Sequence, residues 1–411
     1  MLYPRTEQQE QFIALARDLA EKFDARAAEH DRASTFPDEN YVDAKAAHLP
    51  SLVIPEEFGG WGAGLLDTVM TVEQLAVGDG STALCLTMHF QVMGAAAENR
   101  NWPSDLFERI CRKSVENGAL INSIATEPKL GSPSRGGLPQ TTADPVRTNG
   151  QSNGEPDAWR INGHKSWGTM FPALDYIIIP AALQDGGGEV ARFIVPTHLP
   201  HGGTIEVLEN YSAMSMRSTA SHDILLKDVQ VPNRNIIARS DSASPQRGGK
   251  INAWFMLALS SVYVGVALAA QRAAVRYAKT RVPTALGKPI AEVEGIQRRL
   301  GKVELLLRQA RVLLYQAAEM WDHFPDRRAD LTASVATAKY TATNNAIAAV
   351  DQCMRVAGGS SVMHSLPLER YYRDVRAGIN HPLNDDVALI TLGKMAIDAL
   401  AEQEPALAEA A

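Results

Sequence analysis

Four short clusters hold residues that could do chemistry. The first is Ala125-Thr126-Glu127-Pro128-Lys129-Leu130-Gly131-Ser132, a β-rich run that ends in a Gly-Ser turn. Backbone N–H groups in such a turn can cradle an anionic or carbonyl-rich ligand, although an ordinary strand end is the plainer reading. The second, Lys165-Ser166-Trp167-Gly168-Thr169, sets an indole and a hydroxyl two residues apart. On an extended chain both face one side, so Trp167 is either a core residue or a platform for a flat aromatic ligand. The third, Arg281 to Lys288, combines basic residues and a glycine at a helix end. It suits phosphate contact or a solvated helix terminus. The fourth runs from Arg355 through Gly358-Gly359 to Ser361, followed by Leu368 to Asp374. Its glycine pair either ends a helix or lets a ligand approach the backbone closely.

Several familiar signatures are missing. There is no G-x-G-x-x-G after a strand and no G-x-x-x-x-G-K-[ST], so neither a dinucleotide-binding turn nor a P-loop is indicated. Gly59 to Gly64 is glycine-rich but follows Pro55-Glu56-Glu57, and reads as a tight loop between helices. No H-E-x-x-H, zinc-spaced Cys/His pair or G-x-S-x-G occurs.

The 411 residues suggest two or three domains, with enough chain for a core that needs no disulfide or metal. Forty basic against forty-seven acidic residues give a net charge of −7, which argues against a general nucleic-acid binder. Cys85, Cys111 and Cys353 are widely spaced and read as reduced, buried thiols of a cytoplasmic protein. Met1 to Glu7 lacks the apolar core of a signal peptide. The most apolar run, Trp254 to Ala270, falls short of the ~20 residues that span a bilayer, so a buried helix is expected and no membrane.

Three blocks must position the clusters. Residues 1–118 carry helical periods, with Phe12, Leu15, Ala16, Leu19 and Phe23 on one stripe and Thr6/Gln9 as a capping box. Residues 119–240 are short β-rich runs separated by turn signals. Among them, Asn162-Gly163 predicts a tight hairpin between Trp159-Arg160-Ile161 and His164 to Trp167. Pro133 to Asp157 reads as a loop excursion, and Ser240 to Gly249 as a linker. Residues 241–411 return to long helices over Ala253–Arg281, Glu292–Phe324 and Leu331–Gly358. Helices, strands, then long helices imply segregated layers.

In this order the clusters resemble the acyl-CoA dehydrogenase family over nearly the whole chain. Pro55-Glu56-Glu57-Phe58-Gly59-Gly60 is similar to the family's P-E-x-x-G-G. Thr126-Glu127-Pro128 with Gly131-Ser132, Ile161 to Trp167, Asp223 to Val231-Pro232, Gly358-Gly359 and Leu368 to Asp374 continue the match. The resemblance implies a mainly α fold with a central β domain: an N-terminal helical domain, a small β-barrel and a C-terminal four-helix bundle. It further implies FAD at their junction, with FMN the alternative in an oxygen-using relative. Ser123, Ala125, Thr126, Gly131 and Ser132 would then contact the isoalloxazine and pyrophosphate. Trp167 would pack on the flavin and Thr169 would hydrogen-bond near its ring. Arg281 would reach the FAD pyrophosphate of a neighbouring subunit, with Arg355, Gly358, Gly359 and Asn384 also at the cofactor. Such sharing implies a homodimer or homotetramer.

The departures concern the base. Many members place the glutamate that removes the substrate α-proton nine residues after the Arg of the Arg-Asp pair, which here is Pro382. Others place it ten residues before a glycine matching Gly265, which here is Phe255. His381 is adjacent and titrates near neutrality in its ordinary state, so it is the catalytic candidate, with a structural histidine as the plainer reading. Three functions follow from the resemblance. The first is dehydrogenation of an acyl-CoA thioester with a relocated base, electrons passing to an electron-transfer flavoprotein. The second is a monooxygenase or oxidase fed by a flavin reductase. The third is a silent paralogue that binds flavin or acyl-CoA without turnover.

Overall fold

Thr6 opens the first helix, its hydroxyl accepting the Gln9 N–H at 3.2 Å. The capping box is only half formed, because Gln9 Oε1 takes the Arg5 N–H at 2.8 Å in place of that of Thr6. The computed structural model describes residues 3–129, 138–147, 154–185, 187–200, 202–241 and 252–409. Five helices come first: α1 (Glu7–Ala33), α2 (Asp38–Ala46), α3 (Leu65–Gly78), α4 (Gly80–Asn99) and α5 (Ser104–Asn117). Asp79 alone separates α3 from α4 and caps the latter through Ser81 and Thr82 N–H. The Gly59–Gly64 segment is the loop that the sequence suggested.

Eight strands follow: β1 (Ile121–Ser123), β2 (Thr142–Val146), β3 (Ala158–Lys165), β4 (Tyr176–Leu183), β5 (Glu189–Pro196), β6 (Thr204–Val207), β7 (Ile224–Pro232) and β8 (Ile236–Asp241). They form one sheet in the order β6-β7-β3-β2-β4-β5-β8, with β1 added parallel to β4. The non-neighbours β5 and β7 approach one another, as a curled sheet requires.

Two expectations are corrected here. Asn162-Gly163 makes no hairpin turn; β3 runs straight through it, with a bulge between Ile161 and Gly163 against β7. Gly163 is needed there because a Cβ would lie 2.3 Å from Thr141 Oγ1. Asn-Gly thus serves a bulge, the other place where an extended chain uses glycine. The supposed loop excursion also contains β2, whose Thr142-Ala143-Asp144-Pro145-Val146 lacks a clear strand pattern yet pairs with both β3 and β4.

The remaining helices are α6 (Ala253–Thr280), α7 (Glu294–His323), α8 (Thr332–Ala357), α9 (Leu368–Asp374) and α10 (Asp385–Glu409). By length and hydropathy α6 passes for a membrane span, but 83% of its most apolar window is buried. Helices α3, α4, α7 and α8 all pack on it. Glu98 of α4 ties this packing together, accepting the indole N–H of Trp254 at 2.9 Å and of Trp321 at 2.8 Å.

A buried ion pair anchors the sheet. Glu127, just beyond β1, and Lys165, the last residue of β3, lie 2.6 Å apart, and both are sealed from solvent. Burial raises the Glu127 pKa, but hydrogen bonds from Lys165 and Thr141 outweigh it and leave the carboxyl below its ordinary value. The carboxylate also accepts Gln140 N–H at 2.7 Å and Thr141 N–H at 3.1 Å, while Lys165 donates to the Pro180 carbonyl at 2.8 Å. Breaking a buried pair strands a charge, so Glu127→Ala is expected to lower the unfolding free energy by roughly 3–5 kcal/mol in denaturant titration. The double variant Glu127→Leu/Lys165→Met should lose less. A single-variant loss of under about 1 kcal/mol, the size of an exposed pair, would show that the pair anchors nothing.

Candidate active site

Beyond β1 the chain continues beside β3, where Ser166 N–H donates to the Thr126 carbonyl at 2.8 Å. Ile124 and Glu127 turn inward, leaving Ser123, Ala125 and Thr126 partly exposed along one edge. Gly131 and Ser132 lie outside the described residues.

Trp167 follows at φ +62°, a conformation that costs an indole-bearing residue backbone strain. Ser166 on one side and Gly168, whose N–H reaches the His222 carbonyl at 2.8 Å, hold it there. The strained residue is 59% exposed, so it is not the core residue of the plainer reading. Tyr211 meets it edge-on at 6.0 Å between ring centroids. Thr169 is buried close by, its hydroxyl 2.8 Å from that of Ser221. The two residues therefore do not share an exposed face, because the chain bends between them.

A second group gathers where α6 and α8 end. Gly358 ends α8 at φ +59°, ψ −139°, a conformation open essentially to glycine. A Cβ at Gly358 or Gly359 would meet nothing within 4 Å, so the backbone of this turn is bare on its outer side. The Tyr277 hydroxyl of α6 lies 3.0 Å from Ser360 Oγ, which brings the exposed Arg281 at the end of α6 to the same end of the bundle. Arg355 is exposed and engaged with Asp351 at 2.7 Å.

The third group surrounds His381. Its ring lies 6.5 Å from that of Phe255 and 5.9 Å from that of Tyr263, both on α6. Two positions where the resemblance would put a glutamate thus converge in space, and neither Phe255 nor Pro382 carries a carboxylate. Burial lowers the His381 pKa to about 4, with the Lys339 ammonium of α8 adding to the shift. Asn384, expected at the cofactor, uses its side-chain oxygen to accept the Val387 N–H at 3.0 Å, at the start of α10.

Contacts lead from the Trp167 platform to Asp374, and from there the link to Tyr263 beside His381 is electrostatic only. From Trp167 they pass to Tyr211, whose hydroxyl donates toward the Ser215 and Met216 carbonyls at 3.2 and 3.3 Å. Met216 N–H donates to Asp374 Oδ1 at 2.8 Å. Burial pushes the Asp374 carboxyl up to about 7. The Tyr263 hydroxyl is raised by burial, then by Asp374 and Tyr211. Tyr211, Tyr263 and Lys339 escaped the sequence reading, whereas Asp374 was singled out there only as the end of the Leu368–Asp374 motif. Only Lys339 left a signal, as a lysine on the otherwise apolar stripe Val335, Ala338, Ala342 and Ala346.

Comparison with known proteins agrees with this architecture. Residues 6–99 match the family model for the acyl-CoA dehydrogenase N-terminal domain, and residues 257–386 that for the C-terminal domain. The chain is 37% identical to the "Putative acyl-CoA dehydrogenase YdbM" of Bacillus subtilis (strain 168), over 97% of this chain and 99% of that one. Two solved structures share the fold at lower identity. Butyryl-CoA dehydrogenase from Megasphaera elsdenii superposes with a TM-score of 0.79 at 23% identity, covering 97% of this chain and 100% of that one. TdsC from Paenibacillus sp. A11-2, a dibenzothiophene monooxygenase solved with FMN and indole, gives a TM-score of 0.81 at 20% identity, covering 95% and 97%. The chain belongs to the acyl-CoA dehydrogenase family of flavin-dependent oxidoreductases.

Proposed function

We propose that this chain is a flavin-dependent monooxygenase or oxidase that works with reduced flavin and O2. The observation that carries the reading is that His381 lies against Phe255 and next to Pro382, neither of which carries a carboxylate, and desolvation lowers its pKa to about 4. Taking up an α-proton would make the half-buried His381 a cation against both desolvation and the charge of Lys339, which is electrostatically uphill. A neutral imidazole instead offers one N–H donor and one acceptor without charge. The residues present fit a flavin. Trp167 supplies an exposed aromatic face, Ser123, Ala125 and Thr126 an open strand edge, and Gly358-Gly359 a turn with room for a ligand against the backbone. When bound, reduced flavin supplies the electrons that activate O2. Trp167 and the strand edge would orient the ring, Thr169 would hold a hydrogen bond near it, and His381 would meet the reacting atoms from the α6 side.

Arg281, Arg355 and the glycine pair would hold the pyrophosphate of FAD bound by a second copy, making the working form a homodimer or homotetramer. FMN would use the ring site alone. A flavin reductase is the electron-donating partner on this reading. The three cysteines are free and buried, in keeping with a cytoplasmic enzyme.

A second reading, dehydrogenation of an acyl-CoA with electrons passed to an electron-transfer flavoprotein, is favoured by the 37% identity to the Bacillus relative. Anaerobic titration with short-, medium- and long-chain acyl-CoAs separates the two. Flavin that stays yellow with all of them is expected, and bleaching by any one would establish the dehydrogenase. With reduced flavin and O2, the protein should delay peroxide release relative to free flavin. His381→Ala should cut productive turnover by roughly 10²- to 10⁴-fold, the span of a positioned acid–base group. Unchanged kinetics would remove His381 from the mechanism. Gly358→Ala should weaken flavin binding, read by fluorescence titration, whereas Gly202→Ala, also at positive φ but on a sheet loop, should not. Equal affinities would exclude the α8 turn from the site.

A further inference from the structure

Three buried hydroxyls stand in a row between the Trp167 segment and the loop that enters β7. Thr169 Oγ1 lies 2.8 Å from Ser221 Oγ, and Ser221 Oγ lies 2.7 Å from Thr219 Oγ1. The row ends at the Met216 carbonyl, 3.0 Å from Thr219 Oγ1. Backbone contacts hold the two segments in register. Met170 N–H donates to the Thr219 carbonyl at 2.9 Å, and Gly168 N–H to that of His222 at 2.8 Å. Non-glycine residues on both sides adopt positive φ, Trp167 and Met170 on one, Met216 and Ala220 on the other. Strain of this kind clusters at active sites and ligand clamps.

The row has a direction. A hydroxyl carries one proton and a carbonyl carries none, so the Met216 carbonyl accepts and Thr219 donates to it. Tyr211 has the nearer Ser215 carbonyl for its own proton. With its proton spent on Met216, Thr219 accepts from Ser221, and Ser221 in turn accepts from Thr169. In this sense all three contacts are hydrogen bonds; in the opposite sense the Thr219–Met216 bond is lost. The Thr169 proton is therefore committed inward, and its oxygen offers a ligand only lone pairs. Ring nitrogen N5 of a flavin is an acceptor when oxidised and an N–H donor when reduced. Thr169 held as an acceptor matches the reduced ring and sets lone pair against lone pair in the oxidised one.

We propose that Ser221 and Thr219 are positioning residues that fix Thr169 as a hydrogen-bond acceptor, so that this chain binds reduced flavin in preference to oxidised. This rests on the reading that Thr169 lies at the flavin ring, and the preference is measurable without substrate or O2.

The test is anaerobic equilibrium dialysis against FMN and FAD, each oxidised and dithionite-reduced, with spectroelectrochemistry of the bound flavin. Reduced flavin should bind the wild type about tenfold more tightly, the worth of one hydrogen bond to a buried group. The two-electron potential should then lie about 30 mV above that of free flavin. Ser221→Ala frees the Thr169 proton to turn toward the ring, so the ratio of affinities should fall to near unity. Thr219→Val removes the fixed end of the row and should do the same, whereas Thr219→Ser should keep the wild-type ratio. A merely structural role would weaken both forms equally and leave the ratio unmoved, which overturns the proposal. So would a wild type that binds oxidised flavin as tightly as reduced, or that binds neither. Should Ser221→Ala fail to fold, the two Thr219 variants carry the same expectations. Bleaching by an acyl-CoA, with the ratios as expected, would refute the oxygen-using reading and sustain the hydroxyl row. A preference for reduced flavin that survives both Ser221→Ala and Thr219→Val would refute the row and leave that reading standing.

Discussion

A carboxylate and an ammonium held together out of water organise the candidate site. The Glu127–Lys165 pair joins the end of β1 to the end of β3, and its spare hydrogen bonds reach the start of β2 and the middle of β4. Each ion alone would be too costly to bury, so all four strands must arrive together for either to be tolerated. The residues next to these ions are the ones proposed to face the flavin: Thr126 precedes Glu127, and Ser166-Trp167 follow Lys165. The strained backbone of Trp167 is sustainable because the segment before it is pinned at this pair and the segment after it at His222.

The helical side of the site obeys a different rule. Around His381 the polar groups are incompletely paired, with Tyr263, Lys339 and Asp385 each leaving a buried atom without a hydrogen-bond partner among the described residues. In a low-dielectric setting such groups fix the charge state of whatever lies beside them. Phe255 and Pro382 remove the negative charge that would favour a protonated base, and Lys339 adds a positive one. All three changes press toward a neutral imidazole. On the proposed oxygen-using reading, that consistency, more than the mere absence of a glutamate, is what would separate this site from one built to pull a proton from carbon.

The two sides meet through Tyr211 and Asp374. Asp374 is a buried carboxyl pushed up to about 7, held by Met216 N–H within the segment that also seats Tyr211 against Trp167. Arg373 beside it grips Asp31 of α1 at 2.6 Å, so the first helix, the sheet and the C-terminal bundle are clamped at the same place. A ligand spanning the Trp167 platform and His381 would therefore lie against parts of all three layers.

Much of this was legible in the residues themselves. Helical periodicity located α1, α3, α4, α6, α7 and α8, since burying one stripe of a helix leaves a mark at every third or fourth residue. The ordered motifs identified the family, because close backbone approaches and buried pairs demand particular residue types. Local chemistry misled at Asn162-Gly163, where a hairpin turn and a bulge both call for a residue without a clashing side chain, and only the facing Thr141 decides between them. It was silent on β2, whose pairing comes from neighbours distant in the chain. It was silent too on the charge state of His381. That depends on the packing of Phe255 and Tyr263 from α6 and on the charge of Lys339 from α8, and the distance over which charges act inside a protein is set by packing that no spacing along the chain encodes.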